Sequence, residues 1–260
     1  MTSMFAVGSV CWVIACIIGT FYQYESRNVM TRKGMVLKGI AAFCVVAYAI
    51  VLIALFGQAS DAAVLFVTGL VFVAIADILI AYLEYVGDGT TGSFLEAVSS
   101  GSNKIRILLS VSMVLYVCSF FLQVVAFIKG LSHYAVTTDY VMPFIVFFSL
   151  PPILTALGMI LSKFRIPETD MRVFIIAAFF ILLSSALFAA GFVFALALFQ
   201  TDVVHGTWVI FGSALYFLAI MSIELRYARP GMYDNKALRI ASRLILFLGR
   251  MTLAGCAFLL

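Results

Sequence analysis

With 260 residues, 65% of them hydrophobic and 11% charged, the chain lacks the polar surface of a water-soluble domain, in which charged residues make up about 25%. Its formal charge of +4 comes from 16 basic and 12 acidic residues gathered mostly between apolar runs, and this distribution calls for no nucleic acid. Cys11, Cys16, Cys44, Cys118 and Cys256 fall inside those runs without CxxC or Cys/His spacing, so neither disulfides nor a metal site nor any cofactor is expected.

A bilayer core about 30 Å thick takes roughly 20 apolar residues per helical span. Eight such runs predict helices near 4–24, 35–57, 62–86, 105–128, 140–162, 172–199, 207–226 and 240–260. The expected fold is all-α: one transmembrane bundle of eight helices occupying 1–260 as a single domain. The first run opens MTSMF with no basic stretch before it, which reads as a retained helix and not as a signal peptide. After the third run, GDGTTGSFLEAVSSGSN mixes turn residues with a short apolar patch at Phe94 and Leu95. Pro151-Pro152 in the fifth run is expected to kink that helix. The sixth run is long enough that it must tilt, kink or protrude, and Pro230-Gly231 marks a turn in the loop before the eighth. No internal repeat of the kind found in many secondary transporters is evident.

Orientation follows from the basic residues. The first gap holds Arg27, Arg32, Lys33 and Lys38, the third Lys104 and Arg106, the fifth Lys163, Arg165 and Arg172, and the seventh Arg226, Arg229, Lys236, Arg239 and Arg243. The even gaps hold Asp61, Asp139 and Asp202, with Lys129 as the basic counterweight. By the positive-inside rule the odd loops face the cytoplasm, or the matrix or stroma of an organelle, and both termini lie on the non-cytoplasmic side.

Chemistry in such a protein belongs with the ionisable groups inside the spans, because a charge at mid-bilayer costs at least about 2.5–3.5 kcal/mol. These are Asp77 and Glu84 on the third helix, Glu224 on the seventh and Arg250 on the eighth, with Gln123 on the fourth as a polar companion. Ala74, Asp77, Ala81 and Glu84 recur at steps of three, four and three, so both carboxylates share one helix stripe. Arg243 and Arg250 are likewise seven apart. If the third and eighth helices approach each other, Asp77 can pair with Arg250 while Glu84 pairs with Arg243. This double ion pair competes with a general-acid role, since a carboxylate held against an arginine makes a poor proton donor.

The order of these polar marks resembles the YhhN-like lysoplasmalogenase family, eight-helix membrane enzymes that hydrolyse the vinyl ether bond of lysoplasmalogens. A lysine entering the second helix is matched by Lys38 in VLKGIAAF, without the proline that often follows. The family pattern GLxFSxxGDxxL is matched by GLVFVAIADILI, which keeps Gly69, Leu70, Phe72 and Asp77 while Val73 and Ala76 replace the serine and glycine. The fourth-helix histidine corresponds to Gln123 in YVCSFFLQVVAF, which hydrogen-bonds but does not titrate. In GSALYFLAI, similar to the family's GAxLFxxSD, Gly212, Leu215 and Tyr216 are kept while Ala219 and Ile220 stand for the serine and the aspartate. The resemblance implies Asp77 as the acid that protonates the vinyl carbon and Glu224, one turn beyond Ile220, as the second carboxylate. It further implies Lys38 and Arg106 as contacts for the substrate phosphate, with Gln123 lining the site.

Three readings stand. The first is a lysoplasmalogenase-like hydrolase, opposed by Ile220 and Gln123. The second is a non-catalytic membrane scaffold or accessory subunit of a larger membrane complex, and the third is a transporter or ion pathway. Membrane lipids are partners under all three, and other membrane subunits under the second. A hydrolase requires a cavity holding Asp77 and Glu224 with Arg250 turned elsewhere; a scaffold requires Asp77 capped by Arg250.

Overall fold

A computed structural model describes residues 2–25, 30–57, 59–90, 103–134, 139–161, 171–228 and 236–260. Arg27, Lys163, Arg165, Arg229, Pro230-Gly231 and the patch at Phe94 and Leu95 lie outside the described residues. For Arg172, Glu224 and Arg226 the helical backbone is described and the side chain is not.

The described residues form eight α-helices: α1 (Thr2–Glu25), α2 (Arg32–Phe56), α3 (Asp61–Thr90), α4 (Asn103–Gly130), α5 (Val141–Leu161), α6 (Met171–Leu198), α7 (Val203–Ala228) and α8 (Lys236–Ala254). Six of them contain stretches long and apolar enough to cross a membrane: Arg32–Phe56, Asp61–Val86, Asn103–His133, Ala178–Leu198, Val203–Ile223 and Lys236–Leu259. The other two, α1 and α5, carry shorter described apolar stretches at Val10–Glu25 and Val141–Leu157.

Local chemistry sets where three of these helices begin. The Gly34 N–H donates to Thr31 Oγ1 at 2.9 Å, the Ala63 N–H to Ser60 Oγ at 3.0 Å, and the His205 N–H to Asp202 Oδ1 at 3.1 Å. Each side chain satisfies a first-turn donor that has no partner within its own helix. The last run is not one continuous helix to residue 260. At Gly255 and Cys256 the backbone tightens, with the Cys256 N–H donating to Leu253 O at 3.0 Å, and a short 3₁₀ turn, Ala257–Leu259, follows. The proline pair lies inside α5 without ending it.

Seven of the helices close into a ring. Neighbours pack in the order α1, α2, α3, α4, α6, α7, α8, and α8 returns to α1, while α5 packs on the flank of α6. Within a bilayer, apolar burial does little to draw helices together, so close packing at small residues carries the association. At Gly249 of α8 a Cβ would lie 2.6 Å from the Tyr216 backbone nitrogen of α7, and at Gly69 of α3 one would lie 3.0 Å from the Ser119 carbonyl oxygen of α4. Phenylalanines fill the spaces between. Phe127 meets both Phe66 and Phe194 at centroid distances of 5.5 Å. Val141, Met142, Ile145 and Leu154 of α5, by contrast, are exposed on the outer surface.

The two ends of the ring differ in chemistry. One gathers Asp61 with Lys129 at 2.9 Å, the Tyr134 hydroxyl donating to Leu259 O at 3.0 Å, and the Asp202–His205 pair against Phe258. The chain's C-terminus is therefore at the acidic end. The opposite end holds the starts of α2, α4 and α8, with Arg32, Lys33, Lys104 and Lys236 exposed there.

Candidate functional site

The charged groups inside the ring converge on α3 and α8. Seven-residue spacing brings Asp77 and Glu84 two turns apart on one face, and Arg243 and Arg250 occupy the matching levels of the antiparallel α8. Arg250 Nη1 donates to Asp77 Oδ2, and Arg243 Nη2 donates to Glu84 Oε2 at 3.0 Å. Lys38 of α2 adds its ammonium 3.7 Å from the same Glu84 oxygen. All four members of the two pairs are buried, with Asp77 only 5% exposed and Arg250 6%.

Aromatic residues complete each level. The Tyr116 hydroxyl of α4 donates to Asp77 Oδ1, so both carboxylate oxygens are acceptors. The Arg250 guanidinium lies 5.3 Å from the centre of the Tyr216 ring of α7, which itself stacks on Phe120 at 5.6 Å. The Arg243 guanidinium is 5.7 Å from the Tyr22 ring of α1. A planar cation between a carboxylate and an aromatic face keeps electrostatic compensation on two sides where water is excluded. Nε and Nη2 of Arg250 make no hydrogen bond among the described residues, so the Tyr216 ring is the second part of that cation's environment.

The other expected site residues fall elsewhere. Gln123 is buried on α4, seven residues beyond Tyr116, where its Nε2 donates to Ser119 Oγ at 2.9 Å beside Gly69. That spacing places it about 10 Å along the helix from the Asp77 level. Arg106 is exposed near the start of α4, and Lys38 is turned toward Glu84. Glu224 stands eight residues past Tyr216 on α7, about 12 Å along its axis, toward the basic end. Ile220, between them, is part of the apolar core together with Ala219.

Nothing in the sequence directly marks Tyr22 or Tyr116 as part of the site, and Tyr216 stands out there only as the aromatic residue kept in GSALYFLAI. Tyr116 opens the same segment as Gln123 and sits seven residues from it, and that two-turn spacing was the available signal. Among the described residues there is no group of three His, Cys, Asp or Glu placed to hold a metal ion. No family model, curated protein or solved structure matches this chain.

Proposed function

We propose that this chain is an eight-span membrane protein, both termini on the non-cytoplasmic side, which serves as a non-catalytic scaffold or accessory subunit. The observation that carries this reading is the state of Asp77: one oxygen accepts from Arg250, the other from Tyr116, and the group is buried. Hydrolysis of a vinyl ether begins with proton donation to carbon, and water then captures the resulting oxocarbenium ion; it needs a carboxylic acid and a second group that orients water. Asp77 is engaged as a double acceptor, Ile220 is apolar, and Glu224 stands about a turn beyond Ile220 and two beyond Tyr216. These placements support an ion-pair core whose role is to fix helices.

One observation favours the hydrolase reading carried by the YhhN-like resemblance. The hydrogen bond from Tyr116 to Asp77 joins a phenol to a carboxylate, an arrangement through which a proton can pass. Aldehyde release from a lysoplasmalogen by the purified protein decides between the two. The expected result is no release from folded wild type. Release that disappears in a folded Asp77→Asn variant would overturn the scaffold reading and establish the hydrolase.

A further inference from the structure

The outer face of α2 carries a groove unrelated to the ion pairs. Val36, Gly39, Ile40, Phe43, Cys44 and Ala47 line a shallow trough of about 460 Å³. Their spacing of three, one, three, one and three follows a single stripe of the helix. Gly39 shapes the trough, because it contributes no side chain to the stripe between Val36 and Phe43, and a Cβ there would meet nothing closer than Ile78 Cγ1 of α3 at 3.5 Å. Phe43, Val36 and Ile40 stand beside it at 52%, 51% and 44% exposure. From Val36 to Ala47 the trough runs about 16 Å. That is one leaflet of a bilayer whose hydrocarbon core is about 30 Å thick.

What lies at its two ends gives the groove a direction. Arg32 and Lys33 are exposed in the first turn of α2, about one turn before Val36, and that turn contains no acidic residue. Thr31 caps the helix there, so the free backbone donors of the N-terminus add their partial positive charge to the two cations. Toward Ala47 the lining is wholly apolar. A cationic head joined to a leaflet-long apolar trough matches a phospholipid with an anionic headgroup and an acyl chain laid along α2.

We infer that α2 holds one such anionic phospholipid, its headgroup at Arg32 and Lys33 and one acyl chain between Phe43 and Gly39. This binding site is independent of whether the ring is a scaffold or an enzyme, because neither Asp77 nor Arg250 contributes to it. The chain length sets the fit and the charge sets the preference.

The test is lipid retention by the purified protein, read by native mass spectrometry with phosphatidylserine or phosphatidylcholine of identical acyl chains. Wild type is expected to retain phosphatidylserine over phosphatidylcholine by roughly tenfold or more, as two surface cations imply. Arg32→Gln with Lys33→Gln should abolish that preference. Gly39→Leu, whose Cβ meets only ordinary contacts, should reduce retention of both lipids by filling the trough. Ala47→Leu repeats that test at the far end should Gly39→Leu fail to fold. Equal retention of the two lipids by wild type would overturn the inference. So would unchanged retention in both trough-filling variants, or full competition by glycerol 3-phosphate, which carries the anion without a chain.

Discussion

Asp77 and Arg250 illustrate how costly a charge becomes when its partner is removed. Deleting one member of a buried pair leaves the other without compensation, at about 3–5 kcal/mol, whereas replacing both by apolar side chains of similar size is often close to neutral. Asp77→Leu and Arg250→Met are each expected to lower thermal stability sharply, and the double variant carrying both to recover most of the loss. Tyr116→Phe, which removes a hydrogen bond to a charged group, should cost about 1.5–3 kcal/mol. Thermal unfolding in detergent across this set measures the coupling, and an additive double variant would show that the pair does not act as a unit.

Asp202 works at the same scale but in contact with water. Its hydrogen bonds from the His205 ring and then from the His205 backbone hold its carboxyl below the usual carboxylate range. A group lowered in the folded state stabilises the protein above its unfolded pKa, and that contribution is lost as the pH falls through the folded value. Asp202→Asn keeps a cap-competent side chain while removing the charge, so its melting temperature should fall less between neutral and acidic pH than that of wild type. Asp202→Ala should in addition lose about 1 kcal/mol at neutral pH through the missing cap.

Between elements, the decisive feature is how closely backbones approach. Gly249 lets α8 rest on the α7 backbone at Tyr216, and this contact also sets the height at which Arg250 meets the Tyr216 ring. Gly249→Ala places a methyl group 2.6 Å from a backbone nitrogen, which cannot rotate away as a side chain could. We expect a loss of about 1–3 kcal/mol or more. Gly39→Ala is the control, since its nearest neighbour would be the Ile78 side chain at 3.5 Å and its melting temperature should stay near wild type. Similar losses at both positions would argue against backbone approach as the cause.

For the molecule as a whole, ring closure by α8 against α1 and α2 is what brings the ion pairs inside. Arginine side chains are long enough to cross from α8 to α3, so the charges join helices that are distant in sequence: Asp77 and Arg250 are 173 residues apart. The proposed topology makes a further prediction. Single cysteines placed at Lys104 and Lys236 in a cysteine-free background should react with an impermeant maleimide from the cytoplasmic face, and those at Asp61 and Asp202 from the opposite face. Labelling of all four from one side would overturn that orientation.

The helix positions were legible because each apolar run is long and bounded by polar residues, and because 3.6-residue periodicity alone places Asp77 with Glu84 and Arg243 with Arg250. Helix ends were less so: α7 begins at Val203, four residues before the apolar run, because Asp202 caps it, and α8 ends at Ala254 where the backbone tightens. The pairing of α3 with α8 could be framed from sequence only as a condition, since periodicity fixes the face a residue occupies but not which helix that face meets. The tertiary structure decided this, along with the recruitment of Tyr116 and Tyr216, because four separate helices, α3, α4, α7 and α8, must be in place before these side chains can gather around one carboxylate and its cation.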